Sequence, residues 1–143
     1  MEWEECLKEN IAVRSFKDRE KAKALVKTAK ERIENYAKRI SLDDINARFV
    51  LKEYYESLLE SIHALLSTNG YKCYNHDCSI SFLKEFYAKI FSQSEIKFLN
   101  DVRMLRNDIK YKGKIITKKE AEEIIGKIKY IETKLIDLVS KSL

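Results

Sequence analysis

Apolar residues recur along most of this chain at steps of three and four, the spacing that lines one face of an α-helix. After Ser15-x-x-Asp18, which resembles a capping box, Ala22, Leu25, Val26, Ala29, Ile33, Tyr36, Ala37 and Ile40 keep that step and predict a long amphipathic helix. A polar hinge, Ser41 to Asp44, precedes a second helix carrying Ile45, Phe49, Leu58, Leu59, Ile62, Leu65 and Leu66. Thr68-Asn69-Gly70 ends it, because glycine readily takes the left-handed conformation just past a helix. The two helices are expected to form an antiparallel hairpin.

A loop from Tyr71 to Asp77 leads into a shorter helix, from about Ser79 to about Phe91, with Phe82, Leu83, Phe86 and Ile90 on its apolar face. Ser92-x-x-Glu95 then caps a helix in which Phe98, Val102, Leu105 and Ile109 follow steps of four, three and four. Lys110 to Ile116 reads as a connection around Gly113, and Thr117-x-x-Glu120 opens a last helix. That helix has the cleanest stripe, Ala121, Ile124, Ile128, Ile131, Leu135 and Leu138. Trp3 to Val13 is assigned a short extra helix. The pattern as a whole predicts an all-α protein, an up-and-down bundle of four principal helices with an additional short one.

Composition agrees with that pattern. The 143 residues contain no proline and three glycines, so nothing interrupts long helices. The length suits one domain, 1–143, with residues 1–14 as a short N-terminal extension. No apolar run approaches the ~20 residues of a membrane span, and the acidic start Met1-Glu2-Trp3-Glu4-Glu5 lacks the layout of a secretory signal. A cytoplasmic location is therefore expected, with Cys6, Cys73 and Cys78 as reduced thiols.

The net charge is only +5, but it is unevenly spread. Residues 12–40 hold ten Lys or Arg against four acids, and residues 101–143 hold eleven against seven. Two basic segments suit an anionic partner such as RNA, and equally suit solvated lysine-rich helix faces.

The second basic segment contains the most distinctive chemistry, Arg103-Met-Leu-Arg-Asn-Asp-Ile-Lys-Tyr-Lys-Gly113. A guanidinium offers a planar donor fork that fits a phosphate. Arg106 and Asn107 therefore either bind a phosphodiester or satisfy a helix terminus, and Tyr111 either joins them or packs beneath a loop. Arg103, Lys110 and Lys112 extend the phosphate-binding surface or remain solvated charges. On a regular helix Asn107 and Tyr111 share a face while Arg106 and Tyr111 lie about 140° apart. Both can reach one phosphate only if the helix loosens before Gly113 or a second copy completes the site.

With Tyr74-Asn75-His76-Asp77-Cys78 and Phe82-Leu83-Lys84-Glu85-Phe86, these residues resemble the HEPN superfamily, helical domains of prokaryotic defence and toxin systems. The form Arg-Asn-x-x-x-Tyr-x-Gly is similar to an archaeal branch, and the resemblance covers roughly residues 12–143. It implies a homodimer with paired motifs and metal-independent RNA cleavage by attack of a ribose 2′-hydroxyl. It also implies a characteristic partner, a minimal nucleotidyltransferase that acts as antitoxin. Arg106 would stabilise phosphoryl charge, but Tyr111 occupies the place of the family histidine. A phenol titrates near ~10 and an imidazole near ~6.5, so tyrosine is the poorer base at neutral pH. Two expectations follow, a weakened endoribonuclease or a non-catalytic module that binds RNA, a nucleotide or a protein.

Other features point to no further chemistry. Cys73, His76 and Cys78 lack both a standard zinc spacing and a fourth ligand, and no metal or cofactor is expected. Asn75, His76 and Asp77 cap the third helix or touch a ligand, and His63 is a boundary residue beside Ile62. Glu53 to Glu56 form a polar-aromatic patch that faces the motif or a partner. There is no glycine-rich phosphate loop, no Gly-x-Ser-x-Gly and no His-Glu-x-x-His.

Overall fold

The computed structural model describes residues 1–143 and is mostly helical. In chain order its elements are α1 (Trp3–Lys8), β1 (Ala12–Arg14), α2 (Arg19–Glu34), α3 (Ala47–Asn69), β2 (Tyr71–Cys73), α4 (His76–Phe86), α5 (Gln93–Lys112) and α6 (Lys118–Ser142). A single 3-10 turn lies at Ala37–Arg39.

The centre of the fold is α3. Fifteen of its 23 residues are buried, and the run from Leu58 to Ile62 includes only Glu60 outside the buried class. A helix apolar on one narrow stripe needs one neighbour, whereas one buried over most of its circumference needs several. Around it, α2 runs antiparallel, with Asp18 near Ser67 and Arg32 near Glu53. On another side α5 also runs antiparallel, since Arg48 at the start of α3 donates to the Gly113 carbonyl at the end of α5. The parallel neighbour is α6, joined through Asp44 to Lys118 at one end and Ser57 to Glu132 further along.

Local capping explains most helix boundaries. Ser92 with Glu95, and Thr117 with Glu120, form complete capping boxes at α5 and α6. Gly70 ends α3 at φ 78°, where an added Cβ would also meet the Ser15 carbonyl at 3.0 Å. One expected box is corrected. Asp18 is itself the N-cap of α2, accepting from the Lys21 N–H at 3.0 Å, while the Ser15 N–H bonds the Gly70 carbonyl. Ser15 thus prolongs the strand pairing instead of starting the helix. Similarly α4 begins three residues before Ser79, because the Asn75 side chain accepts from the Cys78 N–H.

A small sheet is added to the all-α expectation. β1 pairs antiparallel with β2 in the register Ala12 to Cys73, Val13 to Lys72 and Arg14 to Tyr71. Three-residue strands are too short to display period-two alternation in sequence. Residues 1–14 are likewise not an appendage. Trp3, Cys6 and Ala12 are buried, and the Trp3 ring meets Tyr71, Phe82 and Phe86 at centroid distances of 5.2 to 5.8 Å.

The expectation of three reduced thiols is also corrected, because Cys6 and Cys78 are joined in a disulfide with their Cα atoms 5.9 Å apart. Folding brings α1 against α4, and a pairing 72 residues apart has no local signature in the chain. Cys73 stays free and buried, its thiol pushed up to about 11 by burial.

One carboxyl group lies inside the helix packing. Glu132 on α6 is 8% exposed and accepts from the Ser57 hydroxyl at 2.7 Å. Burial, reinforced by the charge of Glu60 and opposed by the Ser57 hydrogen bond, pushes it up to about 7. Folding therefore favours the protonated acid. Its contribution is fully present below 4.5, the ordinary value, and is lost as pH rises through about 7. Relative to wild type, Glu132→Gln should gain roughly 3 kcal/mol of stability between pH 5 and pH 8, measured by denaturant melts at both. A constant difference across that range would contradict this account. A second expectation concerns the disulfide. Dithiothreitol should lower the thermal midpoint, by a stability cost of up to ~4 kcal/mol for so long a loop, and Cys6→Ser/Cys78→Ser should melt alike with and without it. An unchanged wild-type melt would show that the bond does not constrain the chain.

Candidate functional site

The motif helix turns one polar stripe inward. Arg103, Arg106, Asn107 and Lys110 are three, four and seven residues apart on α5, so they share a face. That face looks toward the first turn of α4, with His76 and Asp77, and toward Tyr55 and Glu56 of α3. The polar-aromatic patch of α3 thus faces the motif.

Neither arginine is fully engaged by the protein. Arg106 Nη2 lies 3.7 Å from Glu56 Oε1, and Arg103 Nη2 lies 3.8 Å from Asp77 Oδ1. Both distances exceed the 2.7 to 3.2 Å of a formed N–H···O bond. Arg106 Nη1 donates to its neighbour Asn107 at 3.3 Å, and the Nε atoms of both arginines are buried without a partner. Native structures rarely leave buried donors unpaired. The side chains are 15% and 23% exposed, so their charge is partly desolvated and their attraction for an anion is less screened than on an open surface. Asp77 has a closer partner in the Met1 ammonium at 3.1 Å, which leaves Arg103 the weaker hold on it.

His76 places an imidazole beside the arginines. Its Nδ1 lies 3.2 Å from the Tyr55 hydroxyl. Burial lowers its pKa, and the charges of Arg106, Arg103 and Lys110 lower it further against an opposing effect of Glu56. The ring is therefore neutral at pH 7. Tyr55 is 1% exposed and also kept protonated, chiefly by burial. A buried phenol needs an acceptor for its proton, and Nδ1 is the partner within reach. That assignment leaves the proton of the neutral ring on Nε2, ready to be donated.

Arg106 and Tyr111 do not converge. The helix remains regular through Lys112, and Gly113 then takes φ 66° with its N–H on the Asp108 carbonyl. Without loosening, five residues of separation carry Tyr111 around the helix, where it is 72% exposed and has Lys110 Nζ 5.3 Å from its ring centroid. Lys112 pairs with Asp108 at 3.6 Å and also lies away from the arginines. Arg106 itself lies against a carboxylate-bearing helix, not open in a broad groove. Asn107 orients Arg106 and does not cap the helix end.

His76 was legible only as a cap or contact residue, because 30 positions separate it from Arg106 and no local spacing joins them. Cys78 is bonded to Cys6, so the Cys73, His76, Cys78 trio does not form a thiolate ligand set. His63 is also low, at about 4, chiefly through burial, with Lys21 and a protonated His76 opposing its charge further. No helix is long and apolar enough to cross a membrane. The chain matches no protein-family model and no curated protein sequence.

The coupling of His76 to the arginines is measurable. Its imidazole resonances should titrate at lower pH than those of an exposed histidine, and Arg106→Ala should move that titration upward, because it removes a repelling cation and admits water. A shift downward, or none, in an NMR titration would mean that Arg106 does not act on the ring.

Proposed function

We propose that this protein is a HEPN-type helical domain that binds single-stranded RNA through Arg103 and Arg106. One observation carries the reading. Two arginines one turn apart, each with a buried unpaired Nε and only a loose carboxylate contact, stand beside a neutral imidazole. A phosphodiester would give their donors close partners, with Nε2–H of His76 as a third donor. Lys110 adds charge at the same face, and Asn107 holds Arg106 in position.

The alternating directions of α2, α3, α5 and α6 support the HEPN-like up-and-down bundle. The resemblance also motivates the biological setting, a toxin-antitoxin or defence module with a homodimer and a minimal nucleotidyltransferase as partner. The dimer is tested by light scattering at tens of micromolar protein.

A second reading is metal-independent cleavage, in which His76 takes the role that Tyr111 cannot fill. The neutral ring beside two guanidinium groups favours it. A base acting on a 2′-hydroxyl needs its lone pair on Nε2, which requires the proton to move to Nδ1 and the Tyr55 hydroxyl to turn to another acceptor. The resting hydrogen bond instead favours donation, so binding is the primary function and cleavage the secondary one.

Fluorescence anisotropy with a labelled single-stranded RNA in EDTA separates these readings. Wild type should bind, and Arg103→Ala or Arg106→Ala should each weaken binding at least about tenfold, the value of a lost charge-assisted contact. The slope of log affinity against log salt should also fall by about 0.7 for each lost phosphate contact. Tyr111→Phe should change nothing. Unaltered affinity in Arg106→Ala, with helicity intact by circular dichroism, would refute the binding site. RNA cleavage abolished by His76→Ala while binding persists would establish the second reading.

A further inference from the structure

We infer that the groove between α3 and α5 is a nucleobase subsite, which takes one base of the bound strand while its phosphate meets Arg106. This deepens the RNA-binding reading and rests on it. The groove is a cavity of about 240 Å³ shared by the N-terminal half of α3 and the C-terminal half of α5. Two apposed helical stripes build it, Arg48, Leu51, Lys52 and Tyr55 at steps of three, one and three, and Val102, Arg106, Ile109 and Lys110 at steps of four, three and one.

Its chemistry is divided in a way that selects the ligand. Leu51, Val102 and Ile109 provide the apolar walls, while Arg48, Lys52, Arg106 and Lys110 supply four cations with no carboxylate among the lining residues. An aliphatic side chain would gain nothing from those cations, and an acidic peptide would leave the apolar walls uncovered. A nucleotide offers both a flat apolar body and an anion. The volume lies just below the ~300 Å³ at which sites for drug-sized ligands begin, so it has room for one ring system and not for a lipid chain. Phe49 lines the groove while 55% exposed, with the Arg48 guanidinium 4.7 Å from its ring centroid. An aromatic ring and a guanidinium plane are both surfaces on which bases stack. Tyr55 and Arg106 belong to the groove and to the phosphate cluster alike, so base and phosphate positions are continuous.

The neutral lining of the subsite reads shape and not base edges, its cations being left to the phosphate and to stacking. The one hydroxyl in its wall, that of Tyr55, is committed to His76, and no other neutral side chain lining the groove carries a hydrogen-bonding group. Purines should therefore be preferred over pyrimidines for their larger stacking area, with little difference between adenine and guanine.

Isothermal titration of the full chain with 5′-AMP, 5′-GMP, 5′-UMP, ribose 5-phosphate and an oligoadenylate tetranucleotide tests this. The expected order places 5′-AMP and 5′-GMP within about threefold of each other and at least about tenfold tighter than ribose 5-phosphate, with 5′-UMP between. Phe49→Ala, at an exposed position, should remove most of that tenfold gap, and Phe49→Tyr should keep it. Equal binding of 5′-AMP and ribose 5-phosphate would overturn the base subsite and leave the phosphate site standing. Failure of every probe, the tetranucleotide included, would overturn both. A tetranucleotide tighter than 5′-AMP supports a strand as the natural ligand, whereas equal affinity would confine the inference to a free nucleotide.

Discussion

The fold depends on α3 being covered over most of its circumference. Tyr54, Tyr55, Leu58, Leu59, Ile62, Leu65 and Leu66 lie within an arc of about 140° around the helix, and small buried residues such as Ser57, Ser61 and Ala64 extend that face, so each uncovered sector would cost the burial of apolar groups, about 25 cal/mol per Å². The other helices are arranged by that demand. The buried polar residues of α3 are small, Ser57, Ser61, Ser67 and Thr68, and Ser57 ties neighbouring helices together by reaching both the Ala29 carbonyl and Glu132. The pairing of Arg32 with both Glu53 and Glu60 fastens α2 to the same helix from its edge.

The candidate site is a by-product of how α5 meets this helix. Its apolar residues Ile96, Leu99 and Val102 are buried over its first half, and toward its C-terminus Leu105 and Ile109 are only partly buried and share the inward side with Arg103 and Arg106. Packing there cannot close completely. The result is a half-desolvated cationic groove whose floor is core and whose rim is charge. Partial burial raises the value of each charge for an anion and at the same time keeps His76 neutral. The core and the candidate site draw on the same residues, since Tyr55 is one of the largest buried side chains and also the partner of His76.

The N-terminal segment stiffens the other wall of the site. Cys6 holds Cys78 in the first turn of α4, two residues from His76, and Trp3 packs beneath the same helix against Phe82. The strand pair brings Ala12 to Cys73, three residues before the imidazole. The position of His76 is thus set by contacts from residues more than 60 positions away.

What the sequence determined by itself was local. Steps of three and four located α2, α3, α5 and α6, and Ser92 with Glu95, Thr117 with Glu120 and Gly70 marked their ends, because caps and periodicity are interactions within a few residues. The arginines were legible for the same reason, being one turn apart on one helix. Tertiary structure alone decided that Tyr111 turns to solvent while His76 faces Arg106, that Cys6 and Cys78 meet, and that Leu51 and Val102 enclose a groove. These are contacts between elements, fixed by which faces of α3 had to be covered, and no spacing within one helix encodes them.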